Sequence, residues 1–230
     1  MIRAILFDKD GTFTDFRKTW EAWMPTAIRA LAAEAGVSAV AVAEVIGVDL
    51  QSGRIRPDGR FVTATNAETA AMLGPVLGWS ATDVLDWWRP RVVAVPQVEV
   101  TPLAPYLTGL RDRGLCLGVL TNADEGEARK HLAELGALPY LDRVIGCDSG
   151  FGAKPDPAGA ADFAKALGLE PRTVVVVGDG LTDMRAAAGA GMRAVAVMTG
   201  TQDAQALAPH AEVVLRDIEA LPAWLDRNGG

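Results

Sequence analysis

The sequence predicts an α/β fold: a doubly wound parallel sheet with an α-helical domain inserted after its first strand. Three observations lead there. From residue 96 onward, short continuous apolar runs alternate with helical patterns, as strands covered on both faces by crossover helices require. One more such run, Ile2 to Phe7, stands at the N-terminus and turns at Gly11. Between the two, residues 15–95 are helical in pattern, with few strand signals. The predicted division is therefore residues 1–14 and 96–230 for the sheet domain and 15–95 for the insertion.

The insertion begins with an amphipathic helix over Arg17 to Gly36. Trp20, Trp23, Met24, Ala27, Ile28 and Leu31 recur at three- and four-residue spacing, and Gly36 stops it. A second helix is predicted over Val40 to Ile46. Gln51 to Phe61 is a polar loop, in which Pro57-Asp58-Gly59 is a turn signal. Helices resume over Thr65 to Leu77 and Thr82 to Val95, the latter capped by Ser80 or Thr82. The alternation that follows predicts a helix over Leu103 to Arg113, a strand over Leu115 to Leu120 and a helix over Glu125 to Leu135. It continues with a strand over Arg143 to Cys147 and a helix over Pro157 to Leu167. Thr173 to Val177 is the most apolar strand. A helix over Thr182 to Ala190 and strands over Arg193 to Met198 and Glu212 to Leu215 complete the pattern.

Composition bounds the function. Half of the 230 residues are hydrophobic and 22% are charged, enough apolar material for a sizeable core. The net charge of −7 and a pI near 4.9, with no run of Lys and Arg, argue against nucleic acid as a partner. No apolar run is long enough to span a bilayer, and the N-terminus reads as a strand rather than a signal peptide, so a cytoplasmic protein without a membrane partner is expected. Cys116 and Cys147 lie in or beside strand-like runs and outside any Cys/His cluster; they are expected to be buried thiols. Oligomeric state is not legible.

In a parallel sheet, ligands bind beyond the carboxyl ends of the strands. Four segments bring polar residues to that edge: Asp8 and Asp10; Thr121 and Asn122; Lys154; and Asp179 with Asp183. Asp8 and Asp10, two apart in extended backbone, point the same way while Lys9 points away. Two carboxylates in one pocket call for a cation or a shared proton. Thr12 can hydrogen-bond across the Gly11 turn. Thr121-Asn122-Ala123-Asp124 reads either as helix capping or as a phosphate seat at a helix start. Lys154 is either a solvated charge or, because Pro155 restricts its backbone, a side chain aimed inward. Asp179 and Asp183, after the most apolar strand, are either an N-cap and a first-turn acid or, with Asp8, a hard oxygen site suited to Mg²⁺.

Taken together, Phe7-Asp8-Lys9-Asp10-Gly11-Thr12, Val119-Leu120-Thr121-Asn122, Ala153-Lys154-Pro155 and Gly178-Asp179-Gly180-Leu181-Thr182-Asp183 closely resemble the motifs of the haloacid dehalogenase-like hydrolases, in order and at strand ends. The FDKDGT opening and the Lys-Pro-Asp-Pro stretch look most like the phosphoglycolate phosphatase-type group. Phe13 departs from the Leu commoner there. The resemblance implies a Rossmann-like core with a small helical cap, and a Mg²⁺-dependent phosphatase acting on a small phosphorylated metabolite, phosphoglycolate or a similar monoester. It implies Asp8 as nucleophile, forming an aspartyl-phosphate, and Asp10 as general acid and base. It implies Mg²⁺ held by Asp8, the main-chain carbonyl of Asp10, Asp179 and Asp183, and the phosphoryl oxygens held by Thr121, Asn122 and Lys154.

A sugar-phosphate mutase shares every core motif and is the serious rival. A haloacid dehalogenase needs neither Asp10 nor Asp179. A phosphonate-cleaving relative needs a cap lysine and typically lacks the second acid of the first motif; Lys18 is the lysine of the insertion, and Asp10 is present. A non-catalytic phospho-accepting signalling module is about half as long. Within the insertion, Arg54, Arg56 and Arg60 are candidates for reading a substrate carboxylate or second phosphate, or are an ordinary basic loop. Trp20, Trp23, Trp87 and Trp88 are expected in the insertion's own core.

Overall fold

The chain opens with β1 (Ala4–Phe7), four apolar residues buried without exception. The computed structural model describes residues 1–228 and separates into two units, Met1–Asp15 with Gln97–Gly230, and Phe16–Pro96.

Apart from one antiparallel bridge between Val48 and Ile55, the second unit's regular structure is helical among the described residues: a π-helical turn over Arg17–Glu21, then α1 (Ala22–Ala35), α2 (Ala39–Ile46), α3 (Asn66–Leu77) and α4 (Ala81–Val93). The predicted first helix is thus two pieces, and the Arg17–Glu21 ion pair (2.5 Å) spans the π turn. Gly36 ends α1 at φ 69°, the left-handed conformation that a Cβ disfavours. Thr65 and Ser80 close capping boxes with Glu68 and Asp83, so α3 and α4 each start one residue away from the predicted position. The amphipathic faces meet in a core that includes Met24, Ile28, Leu31, Ile46, Leu73 and Val84. The indoles belong to it: Trp20, Trp87 and Trp88 are buried, and Trp23 lies edge-on to Trp88 with ring centroids 5.4 Å apart.

The first unit carries β2 (Cys116–Leu120), β3 (Arg143–Ile145), β4 (Val174–Gly178), β5 (Arg193–Val197) and β6 (Val213–Leu215). Among the described residues they form with β1 one six-stranded, fully parallel sheet in the order β3-β2-β1-β4-β5-β6. Helices α5 (Leu103–Asp112), α6 (Glu125–Glu134), α7 (Ala158–Ala166), α8 (Leu181–Gly189), α9 (Ala204–Leu207) and α10 (Leu221–Asn228) cover it. Alternate strand residues feed opposite layers. Ile5, Phe7, Val119 and Val177 pack with Leu107, Leu132 and Trp224 from α5, α6 and α10, whereas Leu6, Leu120 and Val176 pack with Phe163, Met184 and Leu207 from α7, α8 and α9. Phe13 is fully buried with its ring 4.7 Å from that of Phe7. The larger ring fills one layer of the sheet's packing, far from any polar role.

The sheet differs from expectation at its ends. α9 and α10 were not anticipated, and β3 stops at Ile145, two residues short, because Gly146 and Cys147 turn into the next loop. The two cysteines are half-buried free thiols rather than fully buried, since Cys116 begins its strand and Cys147 follows one. Burial and the neighbouring Asp124 push the Cys147 thiol up to about 12, so it is an unreactive thiol. No described helix is long and apolar enough to cross a membrane.

Candidate active site

β1 sits where the strand order reverses: the chain runs from β1 outward to β2 and β3, then returns to β4 on β1's other side. A crevice opens at the carboxyl ends of strands at such a point. Phe7 pairs with Val177, and the Asp8 N–H donates to the Val177 carbonyl (2.8 Å), so Asp8 leaves β1 level with the end of β4.

Three carboxylates converge there. Asp8, Asp179 and Asp183 are buried, and each offers an oxygen within 4.8 Å of the others. Lys154 enters among them, its side chain 4% exposed, donating to Asp8 Oδ1 and Asp183 Oδ1 at 2.6 Å each. Asp183 lies in the first turn of α8, and its Oδ2 accepts from the Gly180 N–H (3.0 Å). The loops can pack this closely because glycine faces the acids. A Cβ on Gly11, whose φ is 77°, would stand 2.5 Å from the Asp179 carboxyl, and one on Gly200 would coincide with it.

One ammonium does not balance three acids. Burial pushes Asp8 up to about 6, with Asp183 and Asp10 adding to the rise while Lys154 opposes it. Asp179 is driven well above the usual carboxylate range by burial, then by the charges of Asp8 and Asp183. Burial disfavours the Lys154 charge, but Asp183 and Asp8 outweigh it and hold the ammonium above its ordinary range. A site built only of carboxylate oxygens, with negative charge in excess, fits a hard divalent cation.

Asp10 stands apart from this cluster. Its side chain is 21% exposed and both its oxygens are held by Lys9, at 2.9 and 2.8 Å. The strand alternation that sends Lys9 away from the pocket holds for its stem only: the fully buried side chain brings its ammonium to Asp10 and to His131 Nδ1 (3.2 Å) on α6. Sequence reading missed this, because alternation fixes where a Cβ points and not where a four-carbon chain ends. The Thr12 hydroxyl, expected to bond across the loop, is buried without a partner among the described residues. The hydroxyls that tie the loop are those of Thr14, which donates to the Lys9 carbonyl (3.5 Å), and Thr199, which donates to the Gly11 carbonyl (2.6 Å).

Thr121, 3% exposed, ends β2, with its hydroxyl oxygen accepting from the Ala123 N–H (3.2 Å). Asn122 turns its side chain to the Lys154 loop. Its Nδ2 donates to the Lys154 carbonyl (3.0 Å) and its Oδ1 accepts from the Lys154 N–H (2.8 Å). Both ends of the amide thereby contribute a bond that fixes the Lys154 main chain. Arg54, Arg56 and Arg60 lie in the helical unit and are exposed. Arg54 and Arg56 line a groove of about 790 Å³ on it, where Arg56 pairs with Glu44 (3.2 Å); Arg60 starts a short 3₁₀ turn outside that lining.

A doubly wound sheet with acids, lysine and threonine at its switch point is the layout of a phosphate-handling α/β protein. The family model of the haloacid dehalogenase-like hydrolases matches residues 2–191, and the chain belongs to that family. It is 34% identical over 168 residues to a phosphoglycolate phosphatase of Rhodospirillum rubrum, a match covering 73% of this chain and 66% of that protein. It is 31% identical over 201 residues to an N-acetylmuramic acid 6-phosphate phosphatase of Pseudomonas putida, covering 86% and 84%. Among solved structures, CbbY from Rhodobacter sphaeroides in complex with phosphate shares the fold, with a TM-score of 0.76 at 22% identity over 98% of this chain and all of that one.

Proposed function

We propose that this protein is a Mg²⁺-dependent phosphatase that hydrolyses small phosphorylated metabolites, phosphoglycolate or similar monoesters, through an aspartyl-phosphate on Asp8. One observation carries the reading: the two acids of the first motif have different surroundings. Asp8 lies inside the buried carboxylate cluster against Lys154, whereas Asp10 lies outside it, partly exposed, in the grip of Lys9. Two carboxylates with unlike environments divide nucleophile from proton carrier.

Asp8 attacks phosphorus, and the ester oxygen leaves with a proton from Asp10. Asp10 then takes a proton from the water that cleaves the acyl phosphate. Lys154 has three N–H donors; two are committed to Asp8 and Asp183, and the third remains for a phosphoryl oxygen. The Thr121 hydroxyl, accepting from Ala123, keeps its own hydrogen for a second phosphoryl oxygen. Asn122 serves by holding the Lys154 main chain. Asp8, Asp179 and Asp183, with the Asp10 main-chain carbonyl, would hold Mg²⁺. When bound, the ion supplies the positive charge that the acid cluster lacks and polarises the phosphoryl group. These groups recognise only phosphate, so discrimination between esters falls to the helical unit, residues 16–96, as a cap.

The test is a panel of phosphate esters with Mg²⁺, including 2-phosphoglycolate, sugar phosphates and nucleotides, on wild type and on Asp8→Asn and Asp10→Asn. Expected are phosphate release by wild type, no covalent intermediate with Asp8→Asn, and a trapped phospho-enzyme with Asp10→Asn. Isomerisation of a sugar phosphate without net phosphate release would point to a mutase instead. Wild-type turnover by Asp8→Asn would remove the covalent mechanism.

A further inference from the structure

Lys9 is a lysine with no solvent exposure, and it sits between the two acids of the first motif. Burying an ammonium costs several kcal/mol unless it is paired, so an apolar side chain at this position would be the cheaper way to fill the space. Its ammonium converges on three acceptors, both oxygens of Asp10 and Nδ1 of His131. His131 is itself fully buried on α6, on the same inward face as Glu127, Ala128 and Leu132. An ammonium has no acceptor to offer, so in this contact the His131 Nδ1 is the acceptor. A helix that packs against the sheet thus reaches, through one lysine, the carboxylate assigned as proton carrier.

We propose that Lys9, anchored by His131, is the positioning residue for Asp10. This rests on the acid–base role given to Asp10 above. Gripped on both oxygens by a fully buried ammonium, the Asp10 carboxylate is held against rotation while its side chain stays 21% exposed. Orientation matters most for a group that must meet a leaving oxygen in one step and a water in the next. Lys9 touches neither; it acts through Asp10.

The experiment is a double-mutant cycle on the full chain with Mg²⁺, pairing Lys9→Met with Asp10→Asn. Alone, Lys9→Met should lower kcat on an alkyl phosphate by about tenfold, part of the roughly 10²–10⁴-fold that acid–base help provides. KM should stay unchanged, and nitrophenyl phosphate, whose leaving oxygen needs no proton, should be less affected. In the Asp10→Asn background, Lys9→Met should cost less than about twofold, because the group it positions is already gone. Full, additive losses in both backgrounds overturn the proposal while leaving the role of Asp10 intact. Absence of an alkyl-selective loss in Asp10→Asn itself overturns the acid–base reading. Should Lys9→Met fail to fold, the anchor decides: His131→Leu should reproduce the alkyl-selective loss and His131→Asn, which keeps an acceptor, should recover most of it. Equal behaviour of those two variants sinks the proposal.

Discussion

Asp8 is the residue whose environment makes the sharpest physical claim. Burial, only partly offset by the Lys154 ammonium, raises its carboxyl from an ordinary 3.8 to about 6. An acid raised in the fold contributes stability that is complete below pH 3.8, where both states are protonated, and is lost as pH rises through 6. With 1.36 kcal/mol per unit, the metal-free fold forfeits about 3 kcal/mol at neutral pH relative to acid. For a chain of this size, that corresponds to about 6–12 °C in melting temperature. The perturbation is Asp8→Asn, which removes the Asp8 titration, relieves its charge on Asp179 and keeps the shape. Without metal, wild type and variant should melt alike near pH 4, with the variant gaining up to about 3 kcal/mol by pH 7.5. Mg²⁺ should then raise wild type more than the variant at pH 7.5 and barely act near pH 4, where protons already occupy the site. Calorimetry is the suitable assay, because every tryptophan except Trp224 lies in the helical unit and fluorescence would follow the wrong part. A wild-type-minus-variant difference that stays flat between pH 4 and 7.5 would refute the reasoning, since the overall charge of −7 acts almost equally on both proteins.

Gly200→Ala should cost about 100-fold in turnover, the scale of an ångström misplacement, because its Cβ would displace the Asp179 carboxylate; near-wild-type kcat would show that the loop yields freely. Asn122→Leu removes two hydrogen bonds to the Lys154 backbone and should cost about 2 kcal/mol of stability, along with weaker inhibition by inorganic phosphate; unchanged unfolding midpoints would discount the clamp. Thr65→Ala breaks a capping box in the helical unit and should lower stability by about 1 kcal/mol; tryptophan fluorescence can follow it, and turnover of a small aryl phosphate should not change.

The parts of the site legible in sequence are those where an apolar strand ends abruptly in a polar group. Asp8, Thr121 and Asp179 each follow a run that has no other reason to stop there, and Lys154 is marked by the proline behind it. Less legible was anything set by a side chain's reach or by a loop meeting a distant one. Lys9 curls back to Asp10, and Asn122 turns sideways to Lys154 although its neighbours suggest a helix cap. Gly200 and Thr199 sit in a short polar turn after β5 with no periodicity to mark them, yet the first allows Asp179 its place and the second holds the Gly11 loop. α10 was missed although Leu221, Trp224 and Leu225 have helical spacing, because eight residues near a polar end offer too little pattern to weigh.

Where the chain leaves and re-enters the sheet unit, the two crossings are fastened side by side. The Asp15 N–H donates to the Val98 carbonyl (2.9 Å), the Val100 N–H donates to the Phe13 carbonyl (2.9 Å), and Thr14 and Glu99 face each other as an antiparallel bridge. In topological terms the helical unit is an excursion from a closed gate. Its content can lengthen, shorten or be exchanged while the strands on either side keep their register, since the entropy of closing a longer loop grows only logarithmically. A lineage carrying this arrangement can change the helical unit within one stretch of chain and leave untouched the acid cluster at the strand ends.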